Sequence, residues 1–500
     1  MSRRLLLGVD AGQTVTKAAL FDLTGRQVAL AAERAPLSTP QSRWVERDMD
    51  AVWTSCAAAI RACLASADVA AGEVLAVGLC GHNDGAYLVD GAMRPVRPAI
   101  LAMDSRAYSY VDDYRRDGVA ERALPLTGQS PFPASPAAIY AWLRDHEPDA
   151  LDRARWLLFC KDWLRLRLTG EVATDPTEAS ASFTDVHSQA YSADAFALYG
   201  LDAVAAKVPP IVASADVAGK VAAAAAAETG LPVGTPVVAG AHDVDAAALG
   251  MGAVAVGAVS MMMGTFSINQ VVSADVRLGH RWQARSFLRR GQWLNMSTSP
   301  ASSTNLEWFV RTLCRDSFER GRANGDPYGF VAAEVAAVDD GDDPVVFLPF
   351  LFGSPYGADA SAAFVGLRGW HTRGHLLRAL LEGIVFNHRT HLDALRTAFD
   401  VAGAVRLGGG GARSPLWAQL LADTVELPLE VVDTDEAGAR GAAVLAGLGV
   451  GCWTSMEEAA AATVRVVRRQ GPESAGVERM AARWGAYGRV IEALRGAWPV

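Results

Sequence analysis

The sequence predicts an α/β protein made of two duplicated units, and three observations carry that expectation. A chain of 500 residues is too long for one hydrophobic core and should divide in two. Short apolar strand patterns alternate with longer helical ones along it. A strand–Gly/Thr turn–strand pattern at residues 5–22 returns at residues 259–272. The division is expected near residue 245, giving domains 1–245 and 246–500.

In order, Leu5–Asp10 reads as a buried strand, Ala11–Thr14 as a glycine-containing turn and Lys17–Asp22 as a second strand. Asp22-Leu23-Thr24-Gly25 is a hairpin turn leading to strand Gln27–Glu33. Helix Met49–Ala65 carries Val52, Trp53, Cys56, Ile60 and Leu64 at helical spacing. Strand Val74–Leu79 then ends in the polar turn Cys80–Gly85, before strand Ala86–Val89. The second half repeats the scheme. Strand Pro236–Ala239, the polar elbow Gly240–Asp243 and helix Val244–Gly250 precede strands Val259–Met263 and Ile268–Val272, joined by Gly264-Thr265-Phe266-Ser267. Strand Val345–Pro349, loop Phe352–Asp359 and helix Thr372–Phe399 follow, the helix burying Leu376, Leu380, Val385 and Leu392. Strand Val405–Leu407, the glycine turn Gly408–Gly411, helix Pro415–Val425, strand Leu429–Val432 and helix Ala437–Leu448 make a nucleotide-binding type of arrangement.

Composition narrows the function classes. A net charge of −9 argues against a nucleic-acid or anionic-membrane surface, so any phosphate ligand needs a local site. The opening Met1-Ser2-Arg3-Arg4 with three leucines begins like a signal peptide, but Gly8 and Asp10 break the apolar stretch. No apolar run reaches the ~18–20 residues of a membrane span, and the alanine run Ala222–Ala227 reads as surface helix by its flanks. Cys56, Cys63, Cys80, Cys160, Cys314 and Cys452 lack metal-type spacing and read as reduced, cytoplasmic thiols.

Several segments could carry chemistry. Gly12-Gln13-Thr14 and Gly264-Thr265 offer backbone N–H donors, closely approachable at glycine, with hydroxyls beside them. Each could equally be a plain hairpin turn. Asp10 faces the first turn and could place Mg²⁺ or cap the turn. Lys17 is a phosphate partner or a strand-surface lysine, and the surface reading is favoured. Gly408–Gly411, followed by Ser414-Pro415, lets an adenine or ribose lie against bare backbone; no Gly-Lys-Ser/Thr follows, so it is not a Walker loop. Asp243 is either a helix cap or a general base for a substrate hydroxyl, with His242 and Asp245 as rivals. Asp245 points about 200° away around the helix. His82, Asn83, Asp84, Asp104 and Arg106 supply the mixed donors and acceptors that polyol hydroxyls require.

Taken together, these segments resemble the FGGY carbohydrate kinases. The resemblance rests on Gly8–Thr14, Trp44–Met49, Met103-Asp104-Ser105-Arg106, Cys160-Lys161-Asp162-Trp163-Leu164 with Leu168-Thr169-Gly170, Gly240–Gly250, Gly264-Thr265 and Gly409–Ser414, in that order along nearly the whole chain. It implies the duplicated actin/hexokinase-like, ribonuclease-H-like fold with an active-site cleft between its domains. It also implies an ATP- and Mg²⁺-dependent, cytoplasmic kinase of a small sugar or polyol, with a homodimer as the family-level expectation. Asp243 would be the base and Asp10 would place Mg²⁺–ATP. Gly12, Gln13, Thr14, Lys17, Gly264, Thr265, Gly409, Gly410, Gly411 and Ser414 would contact nucleotide; His82, Asn83, Asp84, Asp104 and Arg106 would contact sugar. The stretches Thr298–Ser303, Asn305–Phe309, Phe347–Leu351 and His371–Leu376 are similar to the xylulokinase branch, L-xylulokinase above all. Cys160–Leu164 and Ala173–Glu178 are also similar to erythritol kinases. Gly81-His82-Asn83-Asp84-Gly85 departs from the Gly-Gln-Met-His-Gly of D-xylulokinases, which makes D-xylulose a poorer expectation and leaves the sugar open, L-xylulose standing beside a tetritol or tetrulose (erythritol, threitol or erythrulose). Gln13 stands where the family usually has a small or hydroxyl residue. The alternative class is a noncatalytic actin-like ATPase or sugar-sensing regulator, although the chain has no basic helix-turn-helix pattern at either terminus.

Overall fold

The computed structural model describes residues 4–67, 70–338, 344–357 and 359–498; Met1–Arg3 of the signal-like opening and Ala358 of the expected loop lie outside them. The chain forms two compact units, each discontinuous in sequence. The first gathers Met1–Val256, Val272–Asn295 and Glu436–Arg465, and the second Gly257–Val271, Met296–Asp435 and Val466–Val500.

In the first unit the strands lie in the order Val217–Lys220, Pro236–Val238, Val74–Gly81, Leu5–Ala11, Thr16–Asp22, Gln27–Glu33. Leu5–Ala11 is central, antiparallel to Thr16–Asp22 and parallel to Val74–Gly81. It is apolar at nearly every position because both its faces are covered. Leu5, Leu7 and Val9 join a core with Val52, Trp53, Cys56, Ile60 and Leu64 of helix Met49–Ser66, the face its spacing predicts. Asp48 starts that helix by accepting the Ala51 N–H at 2.8 Å. On the alternate face the strands meet helix Ala437–Gly449, and the approach is closest at two glycines. A β-carbon on Gly8 would lie 1.8 Å from the Ala439 carbonyl oxygen, and one on Gly78 1.9 Å from that of Ala442.

The second unit repeats the plan. Ser267–Ser273, Val259–Met263, Val405–Gly408, Leu429–Val432 and Val466–Gln470 follow one another in its sheet, with Trp293–Ser299 beside Ser267–Ser273. Val259–Met263 is antiparallel to the strand after it and parallel to Val405–Gly408, as Leu5–Ala11 is to its own neighbours. Helix Arg373–Arg396 opens on a Thr372/His375 capping box. It buries Leu380, Val385 and Leu392 as expected, whereas Leu376 is half-buried and Leu377 takes the core position.

Candidate functional site

Parallel pairing brings three strand ends of the first unit side by side. Asp10 lies opposite Cys80 and Ala11 opposite Gly81. Ala241 and His242 form a short strand beside those same residues, Cys80 and Gly81. The His82 N–H donates to the Ala11 carbonyl at 3.1 Å, which locks the first two ends together. Gly240 makes the third approach possible: its φ is +81°, and a β-carbon would sit 2.1 Å from the Leu79 carbonyl oxygen. Asp10, His82, His242 and Asp243 are thus collected at the carboxyl ends of the parallel strands of a mixed sheet, where α/β folds bind ligands.

Asp243 is not a helix cap. It is the first residue of helix Asp243–Gly250, and its carboxylate turns to His242, whose Nε2 is 3.1 Å from Oδ1. The other ring nitrogen, Nδ1, is 3.1 Å from Oδ2 of fully buried Asp245. The two rivals of Asp243 are therefore joined to it, the His242 ring lying between the two carboxylates. Asp243 keeps 32% of its side chain exposed. Asp10 beside it is pushed up to about 7, first by burial and then by the charge of Asp243, with Lys17 opposing. Helix Ala437–Gly449 presses on Asp10 as well: a β-carbon on Gly438 would lie 2.5 Å from Oδ2.

The remaining first-unit candidates divide. His82 is buried with Nε2 3.2 Å from the Tyr87 hydroxyl, and burial holds it neutral, down to about 4. Asn83 is buried over the Thr177 carbonyl. Asp84 adopts φ +65° and is held by Arg285, whose Nη2 donates to Oδ1 at 3.1 Å. The Gln13 carbonyl accepts from Arg47 Nη2 at 2.8 Å, Gly12 spends its N–H on the Val15 carbonyl, and Thr14 is exposed. Lys17 is neither a free phosphate partner nor an idle surface lysine, since Nζ pairs with Glu436 Oε2 at 2.7 Å.

Asp104 and Arg106 are not presented as sugar contacts. Both side chains are fully buried and paired with each other at 2.8 Å. Asp104 also accepts the Val45 and Arg106 N–H groups, while Arg106 reaches Glu46 and stacks over Trp44, 4.0 Å from the ring centroid. Desolvated opposite charges of this kind close on one another and pin the loop.

In the second unit Gly264 and Thr265 form the turn between Val259–Met263 and Ser267–Ser273, Thr265 being exposed. Ser303 N–H donates to the Gly264 carbonyl at 3.0 Å and so fixes the turn. Gly409 has φ +89°, and a β-carbon would lie 2.7 Å from the Met263 carbonyl oxygen, whereas Gly410 has nothing within 4 Å. Gly411 packs against Met263 and Trp417. Ser414 caps helix Pro415–Val425, accepting the Trp417 N–H at 3.3 Å.

The structure adds groups that the candidate residues omit. Lys161 Nζ lies 2.7 Å from Asp162 and 2.9 Å from Asp175, and Arg165 joins Asp162 at 3.2 Å, all fully buried. Asp175 accepts the Thr177 hydroxyl at 2.8 Å, and that hydroxyl accepts the His242 N–H at 2.8 Å. Glu178 is fully buried with neither carboxyl oxygen bonded, and burial foremost drives its pKa well above the carboxylate range. Lys161-Asp162 and Asp175–Glu178 stand out in the sequence as motifs without roles. Arg285, 201 residues from Asp84, carries no local signal.

Comparison with known proteins agrees with this geometry. Residues 5–250 match the N-terminal domain, and residues 252–450 the C-terminal domain, of the FGGY family of carbohydrate kinases. A probable L-xylulose kinase of Pasteurella multocida (strain Pm70) is 35% identical over 89% of this chain and 90% of its own length. An L-xylulose/3-keto-L-gulonate kinase of Escherichia coli (strain K12) is 33% identical over 98% of this chain and 97% of its own. The crystal structure of xylulose kinase from Rhodospirillum rubrum superposes with a TM-score of 0.88 at 28% identity, covering 99% of this chain and 100% of that one.

Proposed function

Since the chain belongs to the FGGY family of carbohydrate kinases, we propose that it transfers the γ-phosphoryl group of ATP to a hydroxyl of an open-chain pentulose, L-xylulose being the first candidate. One observation supports this reading above the others: three parallel strand ends set Asp10 and the half-exposed, His-anchored Asp243 at one edge of one sheet. The names of the most similar relatives direct the choice of L-xylulose. The chain is a carbohydrate kinase, and among its described residues no helix is long and apolar enough to cross a membrane.

In this reading Asp243 accepts the proton of the sugar hydroxyl while that oxygen bonds to the γ-phosphorus and the bond to the ADP oxygen breaks. His82, Asn83 and Asp84 orient the sugar; buried, neutral His82 can exchange hydrogen bonds without adding charge. The first turn, Gly12–Thr14, and the second-unit residues Gly264, Thr265, Gly409, Gly410, Gly411 and Ser414 take the nucleotide. Asp10 fits Mg²⁺, which favours one or two carboxylates and would neutralise phosphate charge when bound, because a carboxylate whose pKa is raised by burial and a second carboxylate gains most from a cation. A homodimer in the cytoplasm is proposed on family grounds alone.

The deciding experiment measures ADP release with L-xylulose, D-xylulose, L-ribulose, erythrulose, erythritol, threitol and glycerol at equal concentration. The highest kcat/KM is expected for L-xylulose. A preference for the C4 compounds would move the assignment to a tetritol or tetrulose kinase, and turnover of glycerol alone would defeat both.

A further inference from the structure

We propose that His242, braced by Asp245, is the positioning residue that fixes the catalytic carboxylate of Asp243 and supplies its counter-charge; the inference rests on the kinase reading above. Both ring nitrogens of His242 meet carboxylate oxygens at 3.1 Å, Nε2 on Asp243 and Nδ1 on Asp245. A neutral imidazole owns one N–H, so one of these contacts would set lone pair against lone pair. With both carboxylates ionised, only the imidazolium satisfies both. Burial by itself opposes that charge, but the hydrogen bond and charge of Asp243, then those of Asp245, outweigh it and raise His242 to about 10.

The ring is also anchored from behind. The His242 N–H donates to Thr177 Oγ1, Thr177 donates to Asp175, and Asp175 is paired with Lys161. With Oδ1 of Asp243 held by Nε2, Oδ2 is the oxygen left for a sugar hydroxyl. After transfer Asp243 holds the proton next to a cation, which favours its release to water and resets the base. Other charges act on this cluster from each neighbouring segment: Asp10 on Asp243, Glu178 on His242, Asp175 and Arg285 on Asp245, and Lys161 and Asp162 on Glu178. His82 and Arg47 stand beside it at the sheet end. His242 is the cation in direct contact with Asp243, so loss of its charge should be felt there.

The test compares His242→Gln and Asp245→Asn with the unaltered enzyme, using ATP and the sugar from the panel that the unaltered enzyme turns over fastest. His242→Gln keeps a donor but loses the charge and the bridge. It should lower kcat by about 10- to 100-fold, leave the sugar KM within about threefold, and move the acid limb of the rate profile to higher pH. Asp245→Asn is isosteric and should produce a smaller fall in kcat of the same kind, which covers the case in which His242→Gln does not fold. A kcat within about twofold of the unaltered enzyme for both variants, or a raised KM at unchanged kcat, overturns the proposal. Absence of turnover of every sugar by the unaltered enzyme would instead overturn the kinase reading.

Discussion

Each unit buries a polar network beside its strand–turn–strand hairpin, and the two networks are made of different materials. In the first unit the groups are ions, namely Lys161 with Asp162 and Asp175, Arg165, and His242 between Asp243 and Asp245. In the second they are histidine, asparagine and serine side chains, and His388 at the centre is neutral. His388 Nδ1 lies 2.9 Å from Asn269 Oδ1 and 3.1 Å from Ser267 Oγ, and His391 is bonded to Ser297 and Ser299 at 2.8 and 2.9 Å. Burial first, and His391 second, depress His388 to about 3, so it stays uncharged. Fixed charge in a low-dielectric interior is what proton transfer and cation placement require. Neutral side chains around a hairpin instead hold backbone donors in shape, which suffices for phosphate and adenosine. One scaffold used twice thus buries charge beside its hairpin in one unit and an uncharged His388 beside it in the other.

The sharpest break in that contrast is Asp243→Ala. It should lower turnover by about 10²–10⁴-fold while ATP still protects the protein against thermal unfolding. Residual turnover above roughly a hundredth of the original rate would remove Asp243 from the role of base.

Acid should next expose the neutral network. The folded pKa of His388 lies below that of the unfolded chain, so its stabilising contribution is whole above pH ~6.5 and is lost as pH falls towards about 3. The whole loss is on the order of 5 kcal/mol. Urea unfolding of His388→Asn, followed at pH 7 and pH 4.5, should show a smaller drop between the two pH values than the unaltered chain. An equal drop would mean that another group titrates.

The glycine turn offers two finer comparisons. Gly409→Ala must strain a residue at φ +89° against the Met263 backbone, at roughly 1–3 kcal/mol, and should lower the thermal midpoint and raise the ATP KM. Gly410→Ala meets nothing within 4 Å and should change stability by less than about 0.5 kcal/mol. Equal losses at both positions would show that the turn is held by something other than its contact with Met263.

Much of the fold is legible in the residues because a strand pattern followed by glycine and a polar elbow states its own geometry. Leu5–Ala11 and Val259–Met263 both announce themselves this way, and Val52–Leu64 names the buried face of its helix. Asp243 is legible as a choice between cap and base, and the His242 ring shows only that its carboxylate is not spent on capping the helix. The closure of Arg106 on Asp104 and Glu46 is not legible, because a mixture of polar residues describes an open site and a sealed ion cluster equally well. Nor is Arg285 on Asp84, since periodicity reports which face a residue occupies and never its distant partner.

The return of Glu436–Arg465 to the first unit bears on how the protein is made. Helix Ala437–Gly449 lies on the bare backbone at Gly8 and Gly78 and presses Gly438 against Asp10, so the first-unit sheet is covered by a segment far along the chain from its strands. On the ribosome those strands must therefore wait, with one face uncovered, until that segment emerges. A release of nascent chains ending near residue 256 should yield a protease-sensitive, chaperone-bound species. Chains extended past residue 465 should acquire resistance in one step, as helix Ala437–Gly449 closes over Asp10.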